Sequence, residues 1–297
     1  MKIKLKTQDT IQGWGFLSPA IIIVTTFTII AILFALFLSF NKVNLFKGTY
    51  EFVGFDNYVR LFTDTKVKIA LWNTFNYVIV VVPIQTFLAI LMASVLNAKI
   101  KGTVFFRTVF FLPTLTSSAA LTMIFMFIFS INGPINMYSM QLGLLSEKIN
   151  FLQDPDFALK VIMAMNIWST VPFFMTIYLA ALQDIPESIY EAAEVDGANS
   201  VQKFFKITIP YLRPITTFVM LMGIIGTFQI FDQAFIFSNG SGGPENSTLT
   251  VALLIWRNAF GQNNTMGFAT AIAIVLSIII FTVSMIANKL NKSESLY

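Results

Sequence analysis

The chain predicts an all-α integral membrane protein with six transmembrane helices. Composition is the first sign: of 297 residues, 56% are hydrophobic and 11% charged, whereas a soluble domain carries about 25% charged residues. The placement of charge is the second. Residues 10–41, 69–98, 108–146, 161–183, 214–231 and 258–288 contain no Asp, Glu, Lys or Arg, and about 18 to 25 apolar residues suffice to cross the hydrocarbon core. Third, no low-complexity tail or soluble-type segment intervenes, so residues 1–297 read as one membrane domain.

Taken in order, the first span is expected at 14–40. Its apolar run is too long for a signal-peptide core, so it reads as an uncleaved anchor. Residues 41–70 contain FVGFDNYVRLF, where aromatics alternate with polar groups as in a helix lying at a membrane interface. The second span, 71–96, holds Asn76 and Gln85, which suit helix packing better than ligand binding. A third follows at 108–130 and a fourth at 160–182, which Pro172 is expected to interrupt because it lacks an N–H. The fifth covers 214–237. Residues 238–265, with SNGSGGPENSTLT, form a turn-rich loop before the sixth at 266–288.

Placing both termini in the cytoplasm puts Lys2, Lys4, Lys6, Lys99, Lys101, Arg107, Lys203, Lys206, Arg213, Lys289 and Lys292 inside. Lys42, Lys47, Arg60, Lys66, Lys68, Lys148, Lys160 and Arg257 then lie outside, and the excess follows the positive-inside rule. The chain has no cysteine, which excludes disulfides and thiolate metal sites. A net charge of +4 in such a chain points to lipid-facing loops and away from nucleic acid.

Residues 184–213 form a polar insert between two apolar runs, on the cytoplasmic side of this topology. Asp184 and Glu187 have capping-box spacing, and Pro186 suits a first helical turn. A helix is expected over 188–196, ended by Gly197, with Asn199 or Ser200 capping a second that runs through Lys206 and is closed by Pro210 and Pro214. The insert carries Glu191-Ala192-Ala193, then Gly197, then Ile207-Thr208-Ile209-Pro210.

That pattern resembles the EAA-x3-G-x9-I-x-L-P signature of permease subunits of binding-protein-dependent ABC importers, with Ile209 in place of Leu. The context, Ile185-Pro186-Glu187 and Asp196-Gly197-Ala198, is similar to the carbohydrate branch, the first permease of the maltose and glycerol-phosphate type. The likeness extends to Phe52-Val53-Gly54-Phe55-Asp56-Asn57-Tyr58, to Asn166-x-Trp168 and to Gly242-Gly243-Pro244. It implies the type I importer permease fold and a non-catalytic subunit. It also implies that Glu191, Ala192, Ala193, Asp196, Gly197, Ile207 and Pro210 couple the membrane helices to a cytoplasmic ABC ATPase dimer. No Gly-Lys dipeptide occurs, so the phosphate-binding loop is absent and ATP with Mg belongs to that partner. The further implied partners are a second, related permease and an extracytoplasmic sugar-binding protein.

The resemblance also implies that a sugar meets the segment from Asn166 to Thr170 and a polar segment that here supplies Gln229 and Asp232. An indole such as Trp168 stacks on a sugar face, and Asn166, Ser169 and Thr170 hydrogen-bond hydroxyls. Asp232 is the carboxylate within an expected span, which makes it a functional candidate or a hydrated interfacial group. Two other classes stand beside this reading. An ion-coupled secondary transporter needs intramembrane ionisable groups and usually inverted repeats. An intramembrane hydrolase has neither His nor Cys to work with here.

Overall fold

The computed structural model describes residues 2–44, 48–97, 102–261 and 265–292. The cations at Lys47, Lys99 and Lys101 used for the expected topology lie outside them. Two compact units are present: Met1–Thr63 with Ile255–Val275, and Asp64–Leu254 with Leu276–Tyr297.

In the first unit, α1 (Lys2–Val24) passes through one π-helical turn, Thr25–Ile29, into α2 (Ile30–Ser39). Gln12–Ser39 is long and apolar enough to cross a membrane, and only 6% of its most apolar stretch is buried. Strands β1 (Asn41–Asn44) and β2 (Thr49–Phe52) then pair antiparallel, Asn41 opposite Phe52 and Val43 opposite Tyr50. Helix α3 (Asp56–Thr63) folds back on the end of α2. The Asn57 amide donates to the carbonyls of Ser39 at 2.9 Å and Asn41 at 3.1 Å, and the Tyr58 and Ser39 hydroxyls are 2.7 Å apart. From the later part of the unit, Gly267 presses so close that a Cβ would collide with the Asn41 carbonyl. The Arg60 guanidinium lies 4.0 Å above the Phe268 ring.

The second unit is built on α4 (Thr65–Asn97), α5 (Thr103–Leu115), α6 (Ser118–Ile128), α7 (Pro134–Gln141) and α8 (Pro155–Gln183). Three short helices follow, α9 (Glu187–Val195), α10 (Ser200–Lys203) and α11 (Ile209–Tyr211), then α12 (Arg213–Phe228) and α13 (Asp232–Ser238). Helices α14 (Val251–Phe260) and α15 (Met266–Lys292) each contribute residues to both units. One core joins Ala89 and Ala93 of α4 to Val171, Met175 and Tyr178 of α8 and Val219 of α12. Small residues at this seam let the helix backbones approach, the usual basis of packing where lipid removes the hydrophobic drive. A second core gathers Tyr77, Val81, Leu121, Ile162, Met165 and Phe237.

Among the described residues five helices are long and apolar enough to cross a membrane, or six if one bent pair counts as a single span. That pair corrects the expected third span. Helices α5 and α6 meet at 98°, not in one rod over 108–130. Thr116 and Ser117 are both extended, and the Ser117 hydroxyl accepts from the Ala120 N–H at 3.2 Å, starting a new helix. Serine in this role offers the backbone an alternative to continuing the ladder.

The fourth span corrects the expectation in the opposite sense. Helix α8 runs unbroken through Pro172. The missing N–H removes one backbone bond, while Val171, Pro172, Phe174 and Met175 around it are buried in the core. Packing on both sides of the proline holds the rod together.

Of the loop expected at 238–265, residues 239–250 form the turns and are held by α4, whereas 251–260 form helix α14. Asn73 Nδ2 donates to the carbonyls of Asn246 at 2.8 Å and Leu249 at 3.0 Å, and the Thr74 hydroxyl accepts from Val251 N–H at 3.0 Å. Asn239, Gly240, Gly242, Glu245 and Asn246 supply the left-handed backbone that the turns require.

Candidate functional site: a rigid handle and an uncharged cavity

The insert at 184–213 is a helix–turn–helix rooted in the core. Its entry differs from the expected capping box. Asp184 caps the C-terminus of α8, so it belongs to the wrong helix to cap α9, and Pro186 stands at the N-cap position of α9 with no side-chain bond. The exit matches the expectation at Gly197, whose φ is 76°. Ala198 N–H donates to Ala193 O at 2.8 Å and Gly197 N–H to Glu194 O at 3.0 Å, the paired bonds of a Schellman ending. Asn199 and Gln202 form a reciprocal capping box that opens α10.

The second arm departs from the expected helix through Lys206. A π-helical turn, Phe204–Thr208, widens it, and α11 carries it past Pro210 to Tyr211. Across the turn, Lys203 Nζ donates to Glu194 Oε1 at 2.6 Å. That charge and hydrogen bond hold the Glu194 carboxyl below its ordinary range. The Tyr190 and Thr208 hydroxyls are 2.9 Å apart and tie the arms together. Ile185 and Leu212, at the two roots, are buried with Tyr178 and Val219, while Tyr190, Phe204 and Ile209 pack against that core.

The outward surface is different in kind. Glu191, Ala192, Asp196, Gly197 and Pro210 are exposed, and Ala193 and Ile207 are half-buried. Beside them Val195 is 89% exposed, and Val201 and Phe205 are also uncovered. Exposed apolar side chains beside acidic neighbours suit contact with another protein.

At the bend between α5 and α6 lies a cavity of about 270 Å³. Thr114, Thr116 and Ser118 line it from the bend, Ser169 and Thr170 from α8, and Gln233 from α13, with Pro113, Leu121, Met165, Phe173 and Phe174 as its apolar walls. None of these lining residues ionises. The Thr114 hydroxyl donates to Ser169 O at 3.1 Å, and Ser169 Oγ to Asn166 O at 3.0 Å. The Thr170 hydroxyl is shared between Asn166 O at 2.8 Å and Gln85 Oε1 at 2.9 Å. Gln85 is almost wholly buried, and its Nε2 has no partner, nor has the buried Oδ1 of Asn166.

The expected sugar-facing residues do not all converge. Ser169 and Thr170 line the cavity, and Asn166 supports them through its carbonyl. Trp168 faces elsewhere, with Pro172 one turn on, in an apolar hollow of about 640 Å³ shared with Leu88, Met92, Val109 and Phe110. Its ring lies 5.7 Å from Phe125 and is about half exposed. Helical geometry imposes the split, because residues four apart share a face and adjacent ones do not. Gln229 and Asp232 are exposed on either side of the break between α12 and α13, outside the polar cavity. Their neighbour Gln233 occupies the place expected of them. Sequence reasoning missed Thr114, Thr116, Ser118 and Gln233, and the signal was available in the polar run 116–118 amid an uncharged span. Gln85 plays the packing role expected of it, as the acceptor for Thr170.

A helical membrane bundle with a rooted Glu-Ala-Ala…Gly handle and an uncharged cavity at a broken span defines a transport permease. The chain belongs to the family described as binding-protein-dependent transport system inner membrane component, which residues 85–292 match. It is thus an integral membrane permease subunit of the ABC importer class. It is 39% identical to the probable ABC transporter permease protein YesP of Bacillus subtilis, over 95% of this chain and 91% of that one. Identity to the lactose transport system permease protein LacF of Rhizobium radiobacter is 36%, over 95% and 94%. The arabinooligosaccharides transport system permease protein AraP of Halalkalibacterium halodurans is 38% identical over 84% and 78%. In fold, the chain superposes with TM-score 0.85 on a bacterial alginate ABC transporter solved with an alginate pentasaccharide-bound periplasmic protein. The match covers 100% of this chain and 99% of that one, at 21% identity.

Proposed function

We propose that the chain forms half of the translocation pathway of an ATP-driven importer for a neutral sugar, most simply an oligosaccharide. The supporting observation is the handle, fixed to the α4–α8–α12 core at Ile185 and Leu212 while presenting Glu191, Ala192, Val195 and Phe205 outward. A force applied to that surface must move the core helices, because the Tyr190–Thr208 and Lys203–Glu194 bonds stiffen the lever. In this reading a cytoplasmic ABC ATPase dimer holding ATP and Mg grips the handle, and a second, related permease completes the pathway. An extracytoplasmic sugar-binding protein delivers the substrate, and both termini are cytoplasmic.

The sugar preference is supported by the cavity, whose hydroxyls and amide offer donors and acceptors without charge. The relatives named for lactose and arabinooligosaccharide transport support the same class. Thr170, Ser169 and Gln233 would contact sugar hydroxyls and Asn166 would position them. Gln229, Asp232 and Trp168, exposed on this chain, would meet the sugar or the second permease elsewhere along the path. The mechanism is alternating access. Closure of the ATPases draws the handles together and favours the outward-open state, and hydrolysis releases them. The permease contributes a difference in stability between two states. Family membership removes the motive for an ion-coupled scheme.

The test is uptake and ATP hydrolysis by the complete importer in proteoliposomes. Glu191→Ala should lower uptake per ATP hydrolysed, and Gly197→Val should do so more strongly, because its φ of 76° strains any β-branched residue. Wild-type coupling in both variants would refute the handle's role.

A further inference from the structure

We infer that α3 and β2 form a lipid-binding anchor that inserts an aromatic stripe into the membrane leaflet at the end of the first span. The observation is an inversion of ordinary amphipathicity. The face of α3 that turns inward carries Asn57, Tyr58 and Leu61, and its polar members hold the end of α2 through hydrogen bonds. The outward stripe is apolar: Phe55, Val59 and Phe62, spaced i, i+4, i+7, are 69%, 61% and 79% exposed. A helix in water places its apolar stripe the other way. On β2 the same-face pair Tyr50 and Phe52 is exposed as well.

The neighbouring span identifies what covers this surface. Its first ring, Tyr50, meets Phe37 of a span that exposes apolar side chains along nearly its whole length. Aromatic rings carry that surface onward without a gap. Phe34 stacks on Phe37, which meets Tyr50 at 6.4 Å, and Phe40 meets Phe55 edge-on at 5.3 Å. The stripe is therefore a continuation of a surface that already contacts acyl chains. The charges nearby stand off the stripe: Lys42 pairs with Glu51 on the other face of the hairpin, and Arg60 lies over Phe268. The occupant is the interfacial layer of a phospholipid leaflet, with aromatic side chains at the headgroup level.

Because the chain has no cysteine, single substitutions V59C, R60C, F62C and T63C can each carry one spin label. The full chain is assembled with its partner subunits in phosphatidylethanolamine–phosphatidylglycerol liposomes. Collision with oxygen, which concentrates in the bilayer, is compared with collision with a water-soluble nickel chelate. Labels at 59 and 62 should favour oxygen several-fold over those at 60 and 63. Equal or greater access of the nickel chelate at 59 and 62 would overturn the inference, since the stripe would then face water. Exclusion of both reagents there would overturn it too, by placing protein over the stripe. Neither readout depends on what is transported.

Discussion

Replacing Gly223 with alanine tests how the transport core is assembled. Gly223 is buried on α12, and a Cβ there would lie 2.5 Å from Gln85 Nε2. Ordinary contact begins near 3.4 Å, so about 1 Å must be found in a close-packed seam. Two outcomes are open to the structure. Either α12 shifts away from α4, an overpacking cost of about 1–3 kcal/mol, or Gln85 swings aside and gives up the Thr170 hydroxyl. A hydrogen bond between helices in a membrane is worth about 0.6 kcal/mol, with a maximum of about 1.7. Both routes cost stability, and the second also strips Thr170 at the cavity of its bond to Gln85. The assay is thermal unfolding of the purified importer in detergent, paired with uptake. The expected loss is about 1–2 kcal/mol, which is a few degrees in apparent midpoint. Gln85→Ala in the same chain removes the obstructing amide, so the double variant should recover part of the loss, and the cycle should show a coupling above about 0.5 kcal/mol. An unchanged midpoint for Gly223→Ala, or strictly additive effects, would refute this account of the seam.

Other outcomes follow from the same geometry. Thr170→Val keeps the volume but removes the hydroxyl that bridges Asn166 and Gln85; it should lower uptake several-fold with assembly intact on size-exclusion chromatography. Trp168→Ala enlarges an apolar hollow instead, so it should cost stability, about 3 kcal/mol at most, before it alters sugar selectivity in competition uptake. The Glu194 carboxyl is held below its ordinary value of about 4.3 by Lys203. A depressed carboxyl stabilises the fold above its unfolded pKa and loses that contribution as pH falls through the folded one. Amide exchange at Gly197 and Ala198 should therefore be slower than in Glu194→Gln at neutral pH. The two should converge in acid, below the ordinary glutamate range.

Much of the handle was legible because its signals are local. A glycine that must adopt positive φ, a capping Asn199 and a Glu-Ala-Ala run act within a few residues of themselves, though the reciprocal bond from Gln202 was not foreseen. The misplaced box at Asp184 and Glu187 shows the limit of that logic. Spacing was right, but Asp184 was already occupied as the end of α8. The span count was legible for a similar reason, since transfer into lipid depends on summed side-chain hydropathy and not on neighbours.

Continuity of the spans and convergence of the cavity were a different matter. The sequence marked Pro172 as a break and 108–130 as one continuous span. Tertiary packing reversed that: Pro172 is buried with Val171, Phe174 and Met175 in an unbroken helix, whereas Thr116 and Ser117 adopt extended backbone beside a cavity. Likewise, adjacency in Asn166 to Thr170 placed four polar or aromatic residues together on paper, and the helix then turned Trp168 to one side and Thr170 to the other. The amino-acid order by itself determined a membrane bundle with a projecting polar lever, because burial in lipid and local turn chemistry are set residue by residue. Which helix breaks, and which side chains meet around an uncharged hollow, only the packed structure decided, because those depend on contacts such as Gln85 with Thr170, 85 positions apart.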